Sequence, residues 1–155
     1  MAQNLIKRNG EKQEFSIFKV QKLLNDVCKD YPLDAKKPLL NLEEYLKDGM
    51  KTTDFFTALM MNVLSLTSVE EPEWKNVAGR LKMLSLYKEA SISRDMPKNV
   101  PPYDYERFLS YAVENGVYST DITENYSKEE IKKAATFINP EFDFVYRSEE
   151  RRVGK

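Results

Sequence analysis

The Asn9-Gly10 dipeptide constrains the fold of this chain more than any other short feature of its sequence. It separates residues 4–8 from residues 11–15, two segments that can pair as β-strands. Asn-Gly is the preferred sequence of a two-residue type I′ turn, because both central positions require positive φ and both residues tolerate it. We therefore predict a β-hairpin over residues 4–15.

Apolar residues at helical spacing predict four helices after the hairpin. The first follows Ser16, a preferred N-cap residue, and the second ends at Gly49 as its C-cap. The third begins at residue 52 or 53, and the fourth begins near Pro72. Helices joined by short loops form bundles, so we predict a mainly α fold of the α+β class, in which the hairpin caps a four-helix bundle. The predicted inward-facing residues are, helix by helix, Ile17, Val20, Leu24, Val27 and Cys28; Leu39, Leu42 and Leu46; Phe56, Leu59, Met60, Val63 and Leu64; and Trp74, Val77, Leu81, Leu84 and Lys88.

A proline-rich stretch, residues 93–102, follows the predicted bundle, and we interpret it as a linker to a second helical unit. A helix that begins near Tyr105 is predicted to end at Gly116. Ser127 and Glu130 have the spacing of a capping box, which predicts a further helix that ends at Asn139.

The chain has no histidine and one cysteine, Cys28, among its 155 residues. The absence of histidine removes the commonest general base and transition-metal ligand, and a lone cysteine excludes an internal disulfide and a CxxC zinc site. A lone thiol and the absence of a secretion signal favour a cytoplasmic location. The net charge of −1 argues against a nucleic-acid partner, and no segment approaches the roughly 20 apolar residues of a membrane span. These features indicate a regulatory part of a larger protein rather than a self-sufficient catalyst.

Basic residues in the predicted hairpin suggest a local anion site. Counting outward from a two-residue turn places Arg8 opposite Glu11 and Lys7 opposite Lys12. Two facing lysines repel each other, and a bound anion would relieve this cost. The alternative is that both lysines point into water.

Three further residues strengthen the hypothesis of a phosphate site. Ser16 and Lys19 lie in the first turn of the first predicted helix, where unpaired N–H groups attract anions. Lys88 ends the otherwise apolar stripe of the fourth helix. Structural explanations compete here too, since serine is a common N-cap and a lysine near a helix C-terminus complements the helix dipole. Phe55 and Phe56 could stack on a base, although aromatic residues at helical spacing more often belong to a core.

Three segments carry a family resemblance: NLIKRNGEKQEFSIFKVQKLL, MKTTDFF and NVAGRLKMLSLYKEA together resemble an ATP-cone over residues 1–92. The segment ENGVYSTDITENYSKEEIKKAATFINPEFDF, within residues 103–146, resembles the first helices of the N-terminal helical domain in the large (alpha) subunits of class I ribonucleotide reductases. The resemblance implies an N-terminal fragment of such a subunit. It also implies a module that binds ATP or dATP, with magnesium, and controls overall activity through subunit assembly.

The resemblance also implies roles for individual residues. Lys7, Arg8, Lys19 and Lys88 match phosphate-contacting positions. Ser16 and Thr52 match polar positions near the sugar and base, and Leu5 matches a backbone contact. The chain departs from the family pattern at two positions, with Gln13 where an acidic residue is common and Phe56 where a polar ring occurs.

The family's chemistry requires a thiyl-forming cysteine, a redox-active pair and a C-terminal shuttle pair, which one cysteine cannot supply. We therefore expect no catalytic residue, catalytic cofactor or metal ligand in this fragment. Its expected partners are adenine nucleotides, the radical-bearing small (beta) subunit and other large subunits. Residues 147–155, RSEERRVGK, depart from the family pattern and are interpreted as a non-native tail.

A cone-bearing anaerobic reductase is possible at the level of sequence, although residues 103–144 favour class I. Two alternatives outside the reductases also remain open. A helical interaction module with a degenerate cone would keep the fold and bind no nucleotide. A cone-bearing transcriptional repressor is the other, but it should carry a four-cysteine zinc ribbon, which this chain lacks.

Overall fold

The computed structural model describes residues 4–93 and 104–139, which are mainly helical with one three-stranded sheet. The predicted linker lies almost wholly outside these residues, and the predicted tail lies entirely outside them. The chain divides into two compact units, Met1–Lys82 and Met83–Lys155. The elements are β1 (Asn4–Ile6), β2 (Lys12–Glu14), α1 (Ile17–Cys28), a 3₁₀ turn (Lys37–Leu39), α2 (Leu42–Tyr45), β3 (Met50–Lys51), α3 (Thr52–Ser65), α4 (Trp74–Ser93), α5 (Tyr105–Glu114), α6 (Asp121–Asn125) and α7 (Lys128–Ala135).

The predicted hairpin forms between β1 and β2, but its loop has three residues rather than two. The Lys7 N–H donates to the Glu11 carbonyl (2.8 Å), and the Gly10 N–H donates to the Lys7 carbonyl (2.9 Å). With Gly10 at φ +83°, this is the pattern of a three-residue loop closed by a left-handed glycine. The prediction of a two-residue turn with Lys7 opposite Lys12 was therefore wrong: Lys7 faces Glu11, and Lys12 pairs with Ile6.

A third strand completes the sheet, whose order is β2-β1-β3. β3 runs parallel to β1, with Leu5 opposite Met50 and Ile6 opposite Lys51. Two hydrogen bonds fix this edge: the Gly49 N–H donates to the Asn4 carbonyl (2.8 Å), and the Asn4 N–H donates to an Asp48 carboxylate oxygen (2.7 Å). Gly49, predicted as a helix C-cap, has φ +75° but leads into this strand instead.

The α1 helix begins after Ser16, as predicted, and buries Val20, Leu24, Val27 and Cys28. The predicted inward residue Ile17 is exposed at the first turn. Within the described residues the Ser16 hydroxyl forms no capping hydrogen bond, so Ser16 occupies the N-cap position without the usual side-chain bond.

The predicted second helix is broken into the 3₁₀ turn and the four-residue α2. The buried Asn62 side chain explains the break, since it donates to the Pro38 carbonyl (2.8 Å) and accepts from the Tyr45 hydroxyl (3.4 Å). A buried amide with two partners stabilises this non-helical path, because an unpaired polar group in the core is costly. Leu42 and Leu46 are buried as predicted, and Leu39 is half-buried.

The α3 helix begins at Thr52 with Asp54 in its first turn, as predicted. Its buried face is rotated from the predicted one: Phe55 packs edge-to-face on Phe15, with ring centroids 5.4 Å apart, whereas Phe56 is half-buried. Leu59 and Val63 are fully buried as predicted. Of the other residues predicted to face inward, Phe56 and Met60 are only half-buried. The prediction was wrong for Leu64, which is exposed, and it missed the buried Phe55 and Asn62.

The α4 helix buries Trp74, Val77, Ala78 and Leu81, three of which were predicted. Further along the predicted stripe, Leu84 is half-buried and Lys88 is exposed.

Arg80, from the same helix, ties α4 to the end of α1. Its guanidinium donates to the Val27 carbonyl (2.9 Å) and to Asp30 (2.8 Å), and it lies over the Tyr31 ring, 4.6 Å from the centroid. A cation that binds a last-turn carbonyl also complements the dipole of α1.

The second unit contains α5, α6 and α7. Asp104 caps α5 by accepting from the Arg107 N–H (3.1 Å), and Gly116 at φ +68° follows the helix as predicted. The Ser127–Glu130 capping box forms at the start of α7. That helix ends at Ala135 rather than Asn139, and the short α6 was not predicted. No described helix is long and apolar enough to cross a membrane.

Candidate functional site

A basic cleft lies where the hairpin loop meets the junction of β3 and α3. Its volume is about 350 Å³. The lining combines three cationic side chains with two threonines, and the full set is Ile6, Lys7, Arg8, Gly10, Lys51, Thr52 and Thr53.

The parallel pairing of β1 with β3 builds this cleft. Ile6 lies opposite Lys51 in the register. The residues that follow the two strands, Lys7 and Thr52, therefore leave the sheet at the same end. Successive side chains of a strand point to opposite faces, and the neighbour of Ile6, Leu5, is buried. Ile6 and Lys51 therefore share the face that opens to the cleft.

The electrostatics of the cleft favour an anion. Lys7 forms an ion pair with Glu11, with Nζ and Oε2 separated by 3.3 Å and both side chains well exposed. Exposed pairs of this kind contribute little to stability, so an anionic ligand can compete with Glu11 for Lys7 at low cost. The first turn of α3 adds N–H groups and the positive end of the helix dipole at the same end of the sheet.

The structure brings three of the predicted site residues, Lys7, Arg8 and Thr52, to this cleft. Leu5 and Gln13 face each other across the hairpin, next to the cleft but not in its lining. The remaining predicted residues lie elsewhere: Ser16 and Lys19 at the start of α1, Phe56 one turn after Thr52, and Lys88 in the second unit.

Sequence reasoning missed Lys51 and Thr53 as cleft residues. Both lie within the MKTTDFF segment, but only Thr52 was singled out there. The missing information was the parallel strand at residues 50–51. A two-residue strand has too few residues for a period-2 pattern to be recognised.

The described residues offer little for covalent or metal chemistry. Cys28 is buried, and desolvation raises the pKa of its thiol, an effect that the nearby Arg80 charge partly offsets. A protonated, buried thiol is a poor nucleophile. Residues 4–93 and 104–139 contain no group of three or more acidic, cysteine or histidine side chains placed to hold a metal ion. Binding of an anion is the chemistry that this arrangement supports.

Comparison with known proteins gives a consistent set of relatives, although no family model matches the chain. The ribonucleoside-diphosphate reductase subunit alpha of Enterobacteria phage T4 is 31% identical over 143 residues, which is 92% of this chain. The corresponding subunit of a Synechocystis species is 28% identical over 142 residues, and reductase 1 subunit alpha of Escherichia coli is 28% identical over 149 residues. The chain is a homologue of ribonucleoside-diphosphate reductase alpha subunits.

The matched region is a small part of each reductase subunit. It spans 92% to 94% of this chain but only 18% to 19% of these three relatives. The chain thus spans about a fifth of the length of the reductase subunits that it matches.

Proposed function

We propose that this chain is the effector-binding part of a ribonucleoside-diphosphate reductase alpha subunit. In this proposal it binds ATP and dATP, with magnesium on the phosphates, and controls how much deoxyribonucleotide the whole enzyme makes for DNA synthesis. The whole enzyme would be a cytoplasmic oxidoreductase in which alpha subunits associate with each other and with a radical-bearing beta subunit.

The observation that carries the proposal is the cleft itself. The family resemblance assigns nucleotide contacts to Lys7, Arg8 and Thr52, and all three line one cavity beside the start of α3. Cations and free helix N–H groups are the groups that recognise phosphate in proteins. The resemblance of residues 1–92 to an ATP-cone supplies the ligand class, and the basic lining suits its charge.

Thermal unfolding with and without nucleotide tests the proposal. Ligand at 100 times its Kd contributes about 2.7 kcal/mol of stability, which corresponds to a midpoint shift of roughly 5 to 11 °C for a chain near this size. We expect ATP and dATP to raise the wild-type midpoint by this amount. A Lys7→Ala, Arg8→Ala variant should respond little, because both side chains line the cleft and the variant loses two charge-assisted hydrogen bonds, each worth about 1.5 to 3 kcal/mol.

A matched control removes two lysines that do not line the cleft. Lys22 on α1 and Lys75 on α4 are both exposed, so a Lys22→Ala, Lys75→Ala variant lowers the net charge equally. This control should keep the wild-type response to ATP. If saturating ATP shifts the wild type no more than the Lys7→Ala, Arg8→Ala variant, the cone is degenerate and the chain is a helical interaction module.

A further inference from the structure

Lys51 is the cleft cation that neither the sequence patterns nor the family resemblance assigned to nucleotide binding. It is exposed, lies at the end of β3, and lines the cavity together with Lys7 and Arg8. Within the described residues it forms no ion pair, whereas Lys7 is paired with Glu11. Its charge is therefore available to a ligand without breaking an existing contact.

A lysine at the position of Lys51 is unfavourable for the stability of α3. Lys51 is the N-cap of α3, in an extended conformation (φ −68°, ψ 142°), and its side chain accepts no hydrogen bond from the first turn. An ammonium group cannot accept such a bond, and a positive charge at this end of a helix opposes the dipole. Asp54 in the first turn offsets part of this unfavourable charge.

A bound anion would offset this cost, because three cations line the same cavity: Lys7 and Arg8 from the end of the hairpin, and Lys51 from β3. A single anionic group could satisfy one or two of them, whereas a chain of phosphates can reach all three. Lys51 lies on β3, which pairs with β1. Lys7 and Arg8 follow β1 at the same end of the sheet.

We propose that Lys51 binds the polyphosphate of the nucleotide and makes the affinity of this cleft depend on the number of phosphates. This inference rests on the proposed nucleotide binding and adds to it a residue and a selectivity. Under this arrangement ATP binds more tightly than ADP, and ADP more tightly than AMP. The difference between ATP and AMP comes largely from Lys51.

Calorimetric titration of the full chain with ATP, ADP and AMP tests the assignment. Lys51→Ala should weaken ATP binding at least about tenfold, the loss expected for one charge-assisted hydrogen bond, and change AMP binding less than about twofold. Lys51→Arg, which keeps the charge, should retain most of the preference for ATP. Inorganic tripolyphosphate should compete with ATP for the wild type and compete poorly for Lys51→Ala.

Lys47→Ala is the matched control, because Lys47 is exposed in the loop just before β3 and does not line the cavity. It removes the same charge from the same region and should leave the ATP preference unchanged. Circular dichroism and the unfolding midpoint confirm that each variant is folded.

The outcomes separate this inference from the proposed function. Equal weakening of ATP and AMP in Lys51→Ala, or a loss no larger than in Lys47→Ala, overturns the role of Lys51 while nucleotide binding stands. A wild-type chain that binds none of the three nucleotides overturns both.

Discussion

Glu71 joins two elements of the N-terminal unit through one carboxylate. It accepts from the Lys37 ammonium at 2.6 Å on both oxygens and from the Trp74 indole N–H at 3.1 Å. The 3₁₀ turn is thereby tied to the start of α4, whose first residue, Trp74, is fully buried. These hydrogen bonds hold the pKa of the Glu71 carboxyl below its ordinary value of 4.5. The bond from Lys37 has the largest effect, and the bond from Trp74 adds to it.

The depressed pKa of Glu71 predicts a pH dependence of stability. A carboxyl whose folded pKa lies below its unfolded pKa stabilises the fold at higher pH, and this contribution is lost as pH falls through the folded pKa. We expect the wild type to be more stable than Glu71→Gln at pH 7, and the difference in unfolding midpoint to shrink progressively below about pH 4.5.

Glu70→Gln provides the comparison for this experiment, because Glu70 is an exposed neighbouring carboxylate. Its midpoint should follow that of the wild type across the same pH range. A Glu71→Gln difference that is as large at pH 3 as at pH 7 would show that the ionised carboxylate is not what stabilises this contact.

At the scale of elements, the hairpin loop depends on one glycine. Gly10 adopts φ +83°, and a Cβ added there would meet no other atom within 4 Å. The requirement for glycine is therefore one of backbone conformation and not of space. A residue with a Cβ is disfavoured in the left-handed region by roughly 1 to 2 kcal/mol.

Gly10→Ala should consequently destabilise the chain by about 1 kcal/mol and weaken ATP binding, because the loop that carries Arg8 would shift. Gly79→Ala is the matched control: Gly79 is exposed within α4, has no positive φ, and also has open space around its Cβ position. Alanine there should stabilise by about 0.5 to 1 kcal/mol. Urea unfolding of both variants measures the two effects, and the same sign in both would contradict the assigned loop conformation.

At the scale of the whole molecule, the chain holds the candidate cleft but little that could reduce a ribonucleotide. Its one cysteine, Cys28, is buried on α1, and burial raises the pKa of the thiol. The reductase subunits that it matches are about five times longer. Under the proposed function, the redox chemistry belongs to the part of those subunits that this chain does not cover.

We therefore expect no deoxyribonucleotide from this chain when it is mixed with a beta subunit, a dithiol and a ribonucleoside diphosphate. Reduction by the proposed family chemistry needs several cysteines, and one buried thiol cannot replace them. Chromatographic separation of the nucleotide products measures the turnover, with the complete E. coli alpha subunit as the positive control. Product above the level of a protein-free reaction would contradict the proposed division of roles.

Local sequence determined most of the helices. The Ser127–Glu130 capping box, the Gly116 stop and the start of α3 near Thr52 were all predicted correctly, because each signal depends on residues within a turn or two. The same holds for the buried stripe of α1. Among the residues that line the cleft, Lys7 and Arg8 could be singled out from sequence because they lie next to the Asn9-Gly10 turn. The domain boundaries and the nucleotide contacts of the site residues stay predictions.

Tertiary structure decided the features that depend on distant residues. The hairpin register follows from the hydrogen bonds around Gly10, which favour a three-residue loop although Asn-Gly also suits a two-residue one. The Asn62 amide donates to the Pro38 carbonyl and stabilises the interruption of the second helix. Phe15 packs against Phe55 and not Phe56. Lys51 reaches the cleft only because β3 pairs with β1, a contact between residues about 45 positions apart. No local pattern encodes such a pairing, because its free energy comes from hydrogen bonds and burial that exist only in the folded chain.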